Sequence, residues 1–460
     1  MRSTSLLRIL HYAFFSFIFS IPRLSAEPPR TVAESSDYTA TMRYDEVLDF
    51  IESLQRRSDR IRVETLCTST EGRDVPLVIL GDPAPSTPLQ LKHDERLVVY
   101  IQANIHAGEV EGKEASLMLA RDMLLADDPE YLDRLVVLIA PIFNADGNEK
   151  LSPENRRNQV GPEQVGVRHN GQGLDINRDA MKIETPEMQG LVRNVLMRWD
   201  PAILVDCHTT NGSYHEEPVT YAWPLNPNGD AGIIAYMRDR MMPAVQKTLK
   251  KEYDVLSIPY GNFMEYENPE KGWRTFGHLT RYVTNYIGLR NRLAILDENY
   301  AYADYKTRVR GCYSFLRSIL DYSHDHHEEI ARLVREADEK TVGRFRDAAP
   351  DSFAVNVDVR PLDEPVTILG WDMELRPPEA GYPRVKKLDT RRTYTLPFYS
   401  DFYPVRSIPL PRAYLLPASA GDAARKLLLH GITVERLTEP ASLAVEAFTL
   451  HELESAESLY

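Results

Sequence analysis

The sequence predicts an α/β protein: a three-layer α/β/α arrangement around a central mixed, mostly parallel twisted sheet, with a small C-terminal β-rich α+β domain. Three observations point there. First, residues 97–101 (LVVYI), 135–140 (LVVLIA), 202–205 (AILV) and 293–296 (LAIL) are apolar throughout, which is how strands covered on both faces read. Second, stretches with apolar residues at helical spacing lie between these runs. Third, beyond about residue 351 prolines cluster and the apolar runs become short and β-like.

Taken in order, residues 1–26 read as a secretory signal peptide. Arg2 and Arg8 give a basic start, residues 9–21 are an apolar run of 13, and Leu24-Ser25-Ala26 offers small residues for cleavage. Such a run is short for a membrane span, and no other stretch could cross a bilayer, so a secreted or periplasmic location is expected. Residues 27–37 are polar and proline-bearing and read as a flexible leader. The first domain is placed at 38–345. It opens with a helix over 44–58, carrying Val47, Leu48, Ile51 and Leu54 on one side. Strands at 61–69 and 75–80 follow, joined by a Gly72 turn suited to a hairpin. The strand at 97–102 breaks into a polar turn and then a helix bearing Leu117, Met118 and Leu124. After the strand at 135–140, residues 148–179 form a long excursion without apolar runs, and such loops in compact domains are usually functional. A helix over 185–199 has Pro186 in its first turn, where proline is tolerated. Helices at 231–253, 305–321 and 326–339 complete the domain, and 263–290 shows few clear elements. Residues 351–460 read as an accessory mixed α/β domain. Its expected strands lie at 353–359, 365–369, 392–397, 413–416 and 432–437, with a helix at 421–429.

Composition narrows the function. Hydrophobic content of 43% and charged content of 27% in 460 residues describe a globular protein with ample core. The net charge of −14 speaks against a broad nucleic-acid-binding surface. Cys67, Cys207 and Cys312 make no disulfide framework, and Cys207, in an apolar strand, reads as a small buried side chain.

The chemistry concentrates at strand ends. The pattern His-x-x-Glu occurs three times, at His106/Glu109, His326/Glu329 and His451/Glu454. The latter two lie in charged, solvated stretches. The first follows a buried strand, where open α/β sheets place their ligands. Two further apolar strands run into His208 and Glu298. If these strands are parallel neighbours, all four side chains meet along one rim. Two imidazoles and one carboxylate form a catalytic rather than a structural zinc site, because a position stays open. A further carboxylate there can serve as general base. The long excursion adds cations: Arg156 and Arg157 between asparagines, and Arg178 after Asn177. A guanidinium can clamp a carboxylate or oppose an oxyanion.

The ordered set His-x-x-Glu, Asn-x-Asp-Gly (Asn144–Gly147), Asp-x-Asn-Arg (Asp175–Arg178), a strand-end His and a strand-end Glu resembles the zinc carboxypeptidase (metallocarboxypeptidase, or funnelin) family over roughly residues 38–320. The resemblance implies one Zn2+ per chain, held by His106, Glu109 and His208. It implies Glu298 as general base, Arg156 as the oxyanion residue with Arg157 as rival, and Asn177 and Arg178 on the substrate carboxylate. Asp175 would orient His106, and Tyr286 rather than Tyr282 would be the lid tyrosine. The implied activity is removal of C-terminal residues from peptides. The digestive members carry an arginine where this chain has Gly108, which keeps open an amidohydrolase acting on N-acyl amino acids or cell-wall peptides. A non-catalytic binding protein retaining the fold is a third reading, disfavoured by the complete ligand set.

Overall fold

The computed structural model describes residues 27–126, 131–210, 212–344, 351–377, 385–447, 449 and 451–452, so the expected signal segment lies outside the described residues. Eight strands form the central sheet: β1 (Ile61–Thr68), β2 (Asp74–Leu80), β3 (Leu97–Ala103), β4 (Leu135–Ala140), β5 (Ile203–Thr210), β6 (Val219–Ala222), β7 (Ser257–Pro259) and, after two short strands β8 (Asn262–Phe263) and β9 (Trp273–Arg274), β10 (Leu293–Tyr300). The order is β1-β2-β4-β3-β5-β10-β6-β7. The four central strands β4, β3, β5 and β10 are all mutually parallel, while β1, β2 and β6 join antiparallel to their inner neighbours. Every residue of β3, β4 and β5 is buried, so both faces of the sheet are covered, as their uninterrupted apolar character requires.

β5 and β10 run further than their apolar cores. They continue through Asp206-Cys207-His208 and Asp297-Glu298, so these polar residues sit inside the ladder, with Glu298 the direct register partner of His208. Side chains alternate along a strand. His208 and Glu298 therefore share one face, and Cys207 and Asp297 share the other.

Helix Glu111–Leu125 starts immediately after the polar turn that follows β3. Its seat is very close: a Cβ at Gly112 would lie 2.5 Å from Cys207 Cβ and 3.2 Å from Ala103 Cβ. Glycine is needed there so that the helix can rest on β3 and β5 together. The same helix holds the start of the described chain. Glu114 accepts hydrogen bonds from Met42 N (2.7 Å), Thr41 Oγ1 (2.9 Å) and Ala33 N (3.3 Å), and Arg121 pairs with Glu34 at 2.6 Å. The stretch 27–37 thus differs from the flexible leader expected of it. Thr31 caps a helical turn, Val32–Ser35, through a reciprocal bond with Glu34, and buried partners from distant sequence fix it.

The C-terminal region contributes β11 (Ser352–Pro361), β12 (Val366–Leu375), β13 (Val385–Leu396) and β14 (Phe398–Pro409). β12 and β13 form a hairpin. β11 and β14 pair with each other, and β14 continues onto β9 and β8, so this sheet is built from both halves of the chain. Helix Gly421–Leu429 forms as expected, but 413–416 and 432–437 form no strand. Leu415, Leu416, Ile432 and Leu437 are exposed, without the partner strand that would turn an apolar run into a ladder.

Two outcomes are expected. Gly112→Ala should cost about 1–3 kcal/mol by overpacking, measured as a fall in the denaturant midpoint. At the join between the halves, Glu217 accepts from Leu369 N at 2.8 Å, and burial raises its carboxyl from 4.5 to about 7. Its ionisation between those values is disfavoured in the folded state, so the native protein loses stability there as pH rises. Glu217→Gln should therefore melt progressively higher than the wild type between pH 4.5 and 7, by about 1–3 kcal/mol at the upper end, and show no such gain near pH 4.

Candidate active site

His106 and Glu109 lie in the turn between β3 and helix Glu111–Leu125. Asn104 opens that turn with a φ of 65°, a conformation asparagine tolerates better than most residues. Its Nδ2 donates to the carbonyls of Ala107 and Glu109, both at 3.2 Å. Glu109 N bonds back to His106 O at 2.9 Å. The loop is therefore fixed by its own backbone, and both side chains turn toward β5. Gly108 is part of the device. A Cβ there would strike Gly166 O and Arg156 Cγ, each at 2.8 Å, so the Arg156 side chain covers this position.

His106, Glu109 and His208, all buried, converge so that one ligand atom of each lies within 4.8 Å of the others. The two Nδ1 atoms are 3.2 Å apart, and Glu109 Oε1 and Oε2 lie 3.0 and 2.9 Å from the Nδ1 atoms of His106 and His208 respectively. The outer nitrogens are committed elsewhere: His106 Nε2 to Asp175 Oδ1 at 3.0 Å, and His208 Nε2 to Asp206 Oδ2 at 2.9 Å. A carboxylate on Nε2 fixes the proton there and leaves Nδ1 as a lone pair. Two such lone pairs facing each other beside a carboxylate repel unless a cation stands between them. The donor set is nitrogen, nitrogen and oxygen, which suits zinc, and the residues fit that metal.

Glu298 borders this cluster through its register pairing with His208. Its Oε2 is buried with no hydrogen-bond partner. Burial pushes its carboxyl up to about 8, with Glu109 adding to the shift and His208 and Arg156 opposing it. Asp175 is held well below the usual carboxylate range despite its burial, by its bond to His106 and by Arg168 and Arg178 nearby.

Arg156 donates to Glu109 Oε1 and to Thr209 O, both at 2.9 Å. Arg157 faces solvent and pairs with Glu154. Asn177 Oδ1 accepts from Val283 N at 3.1 Å, and its Nδ2 is 3.3 Å from His208 Nε2. Arg178 lies over the ring of Tyr282, 4.7 Å from its centroid. The fold does not bring Tyr286 to the cluster: it is buried, and its hydroxyl bonds His430 Nδ1 at 2.9 Å. Tyr282, the other candidate, is the one that meets Arg178.

Three participants escaped the sequence reading. Arg168 binds Asp175 Oδ2 at 2.8 Å and His106 Nδ1 at 3.2 Å. Asp206 orients His208. Tyr260 follows β7 and feels the charges of both Glu298 and Glu109, with its hydroxyl bonded to Thr210 and Asn262 and its pKa raised by burial. Asp206 stands two residues before His208 on a strand and so on the same face, a signal that could have found it. Nothing in the local sequence marks Arg168 or Tyr260.

Residues 47–213 match the family described as zinc carboxypeptidase. The matched stretch spans less than half of the 460 residues, and it supports a metallocarboxypeptidase reading of this part of the chain. The chain is 22% identical over 453 residues to Carboxypeptidase 2 of Trichophyton rubrum, covering 94% of this chain and 77% of the relative. Among solved structures it is similar to a metallo-carboxypeptidase from Burkholderia cenocepacia, at 19% identity and a TM-score of 0.46, covering 61% of this chain and 68% of the other. It is also similar to a metallo-carboxypeptidase from Pseudomonas aeruginosa in complex with (2-guanidinoethylmercapto)succinic acid, at 17% identity and a TM-score of 0.45, covering 62% and 69%. Among the described residues, no helix is long and apolar enough to cross a membrane.

Metal-stripped protein should rebind one zinc per chain by elemental analysis. His208→Ala should abolish that binding, and Asp175→Asn should weaken it about 10–100-fold in a competition titration.

Proposed function

We propose that the chain removes the C-terminal residue of a peptide, with His106, Glu109 and His208 holding zinc. The observation that carries this reading is the pairing of that buried ligand set with Glu298, whose Oε2 has no hydrogen-bond partner and whose strand position is fixed beside His208. When bound, zinc supplies Lewis-acid polarisation and makes water acidic enough to lose a proton near neutral pH. The protein's own groups do the rest. Asn177 and Arg178 receive the substrate's terminal carboxylate, which selects for a free C-terminus. Glu298 accepts a proton from the attacking water and passes it to the departing amine; its raised pKa suits a group that must both take and give a proton. Arg156 opposes negative charge on the carbonyl oxygen, a contribution of about 3–4 kcal/mol when such a donor is lost. Asp175 and Asp206 keep the ligand imidazoles in one tautomer. Tyr282, rather than Tyr286, is the ring that closes over the carboxylate end. Residues 1–26 support export, so that peptides outside the cytoplasm are the substrates.

The test is release of free amino acid from N-blocked dipeptides by zinc-loaded protein. Glu298→Gln should retain zinc and lose about 10²–10⁴-fold in kcat. Equal rates for the two proteins would remove Glu298 from its role. Turnover of simple N-acyl amino acids without turnover of N-blocked dipeptides would instead favour an amidohydrolase.

A further inference from the structure

Past Arg178, the carboxylate end of the site holds a second cation that the proposed reaction does not use. Arg281 lies against the same ring as Arg178, 5.2 Å from the Tyr282 centroid, and its Nη2 donates to the Tyr282 hydroxyl at 3.3 Å. Because both guanidinium groups sit on one ring, they are no more than about 10 Å apart. Among the described residues Arg281 has no carboxylate partner, and its Nε is buried without a hydrogen bond. An arginine held in this way has donors to offer. The segment that carries it is not loose. Val283, two residues on, is bonded to Asn177 at 3.1 Å, which ties the segment to a residue of the carboxylate pair. The wall leading back toward Glu298 is aromatic: Tyr282 packs edge-on against Phe276 (5.5 Å), and Phe276 against Tyr260 (6.1 Å). Apolar walls with one cation at the end suit a side chain of a few methylenes ending in negative charge.

We propose that Arg281 is a specificity-determining residue that selects substrates whose C-terminal residue carries a second carboxylate, glutamate or aspartate, bound between Arg178 and Arg281. Arg178 takes the main-chain carboxylate and Arg281 the side-chain one. A guanidinium fork meets a carboxylate through two parallel hydrogen bonds, which a neutral side chain cannot reproduce. The inference rests on the carboxypeptidase reading given above.

The experiment compares kcat/KM of the zinc-loaded full chain on N-blocked dipeptides ending in Glu, Asp, Leu, Phe and Lys. Glu and Asp should be preferred over Leu by about tenfold or more. Arg281→Gln should remove that preference, Arg281→Lys should keep part of it, and Arg281→Glu should turn it toward Lys. Near-ultraviolet circular dichroism and zinc content of each variant establish that it is folded and loaded. Cleavage of neutral or basic C-termini as fast as acidic ones, or an unchanged Glu/Leu ratio in Arg281→Gln, overturns the proposal while leaving the carboxypeptidase reading intact. Failure to cleave any of the five substrates overturns both.

Discussion

Parallel hydrogen bonding of β5 to β3 on one side and to β10 on the other is the constraint from which the site follows. Ala103 pairs with Cys207, and Glu298 with His208. Those registers put the end of β3, His208 and Glu298 in one row. A one-residue slip in either pairing would send His208 or Glu298 to the opposite face. The interior of β3, β4 and β5 is apolar on both sides, so burial strongly disfavours such a slip. Gly112 adds the third dimension by letting the helix after the His106–Glu109 turn settle directly on Cys207.

Electrostatics then has to keep so many buried polar groups in one place. Each imidazole is held by a carboxylate on its outer nitrogen, and the inward nitrogens face each other with Glu109 beside them, one oxygen to each. Arginines balance the acids: Arg156 on Glu109, Arg168 and Arg178 about Asp175. Glu298 is the exception. Burial first, and then the nearby acids, hold its proton more tightly than is usual for a carboxyl, and its Oε2 has no hydrogen bond. A buried charge without partners is costly, and such cost is commonly retained at sites that carry out proton transfer.

The C-terminal strands are less separate than their composition implies. Trp273 of β9 pairs with Phe398 of β14, and Glu217 bonds Leu369. The segment between β9 and β10 supplies Phe276, Arg281 and Tyr282. That aromatic wall is therefore anchored at one end by the C-terminal sheet and at the other by the bond from Val283 to Asn177.

Much of this was legible in the chain. Continuous apolar runs marked the buried parallel strands, and the polar groups at their ends singled out His106, Glu109, His208 and Glu298 as candidates, because four such groups recur at the same kind of strand end. The order of motifs pointed to Asp175, Asn177 and Arg178. What could not be read were choices between near neighbours and contacts across long separations. Arg156 and Arg157 are adjacent and chemically identical; only the fold turns one to Glu109 and the other to solvent. Tyr282 and Tyr286 lie one helical turn apart, and packing against His430 takes the second away. Arg168, Tyr260 and the shared C-terminal sheet depend on pairings between residues tens to more than a hundred positions apart. Periodicity is a local property and determined the elements, their apolar faces and the polar groups at their ends. Which of those groups face one another is decided by strand register and by side-chain packing in three dimensions, and no window of sequence contains either.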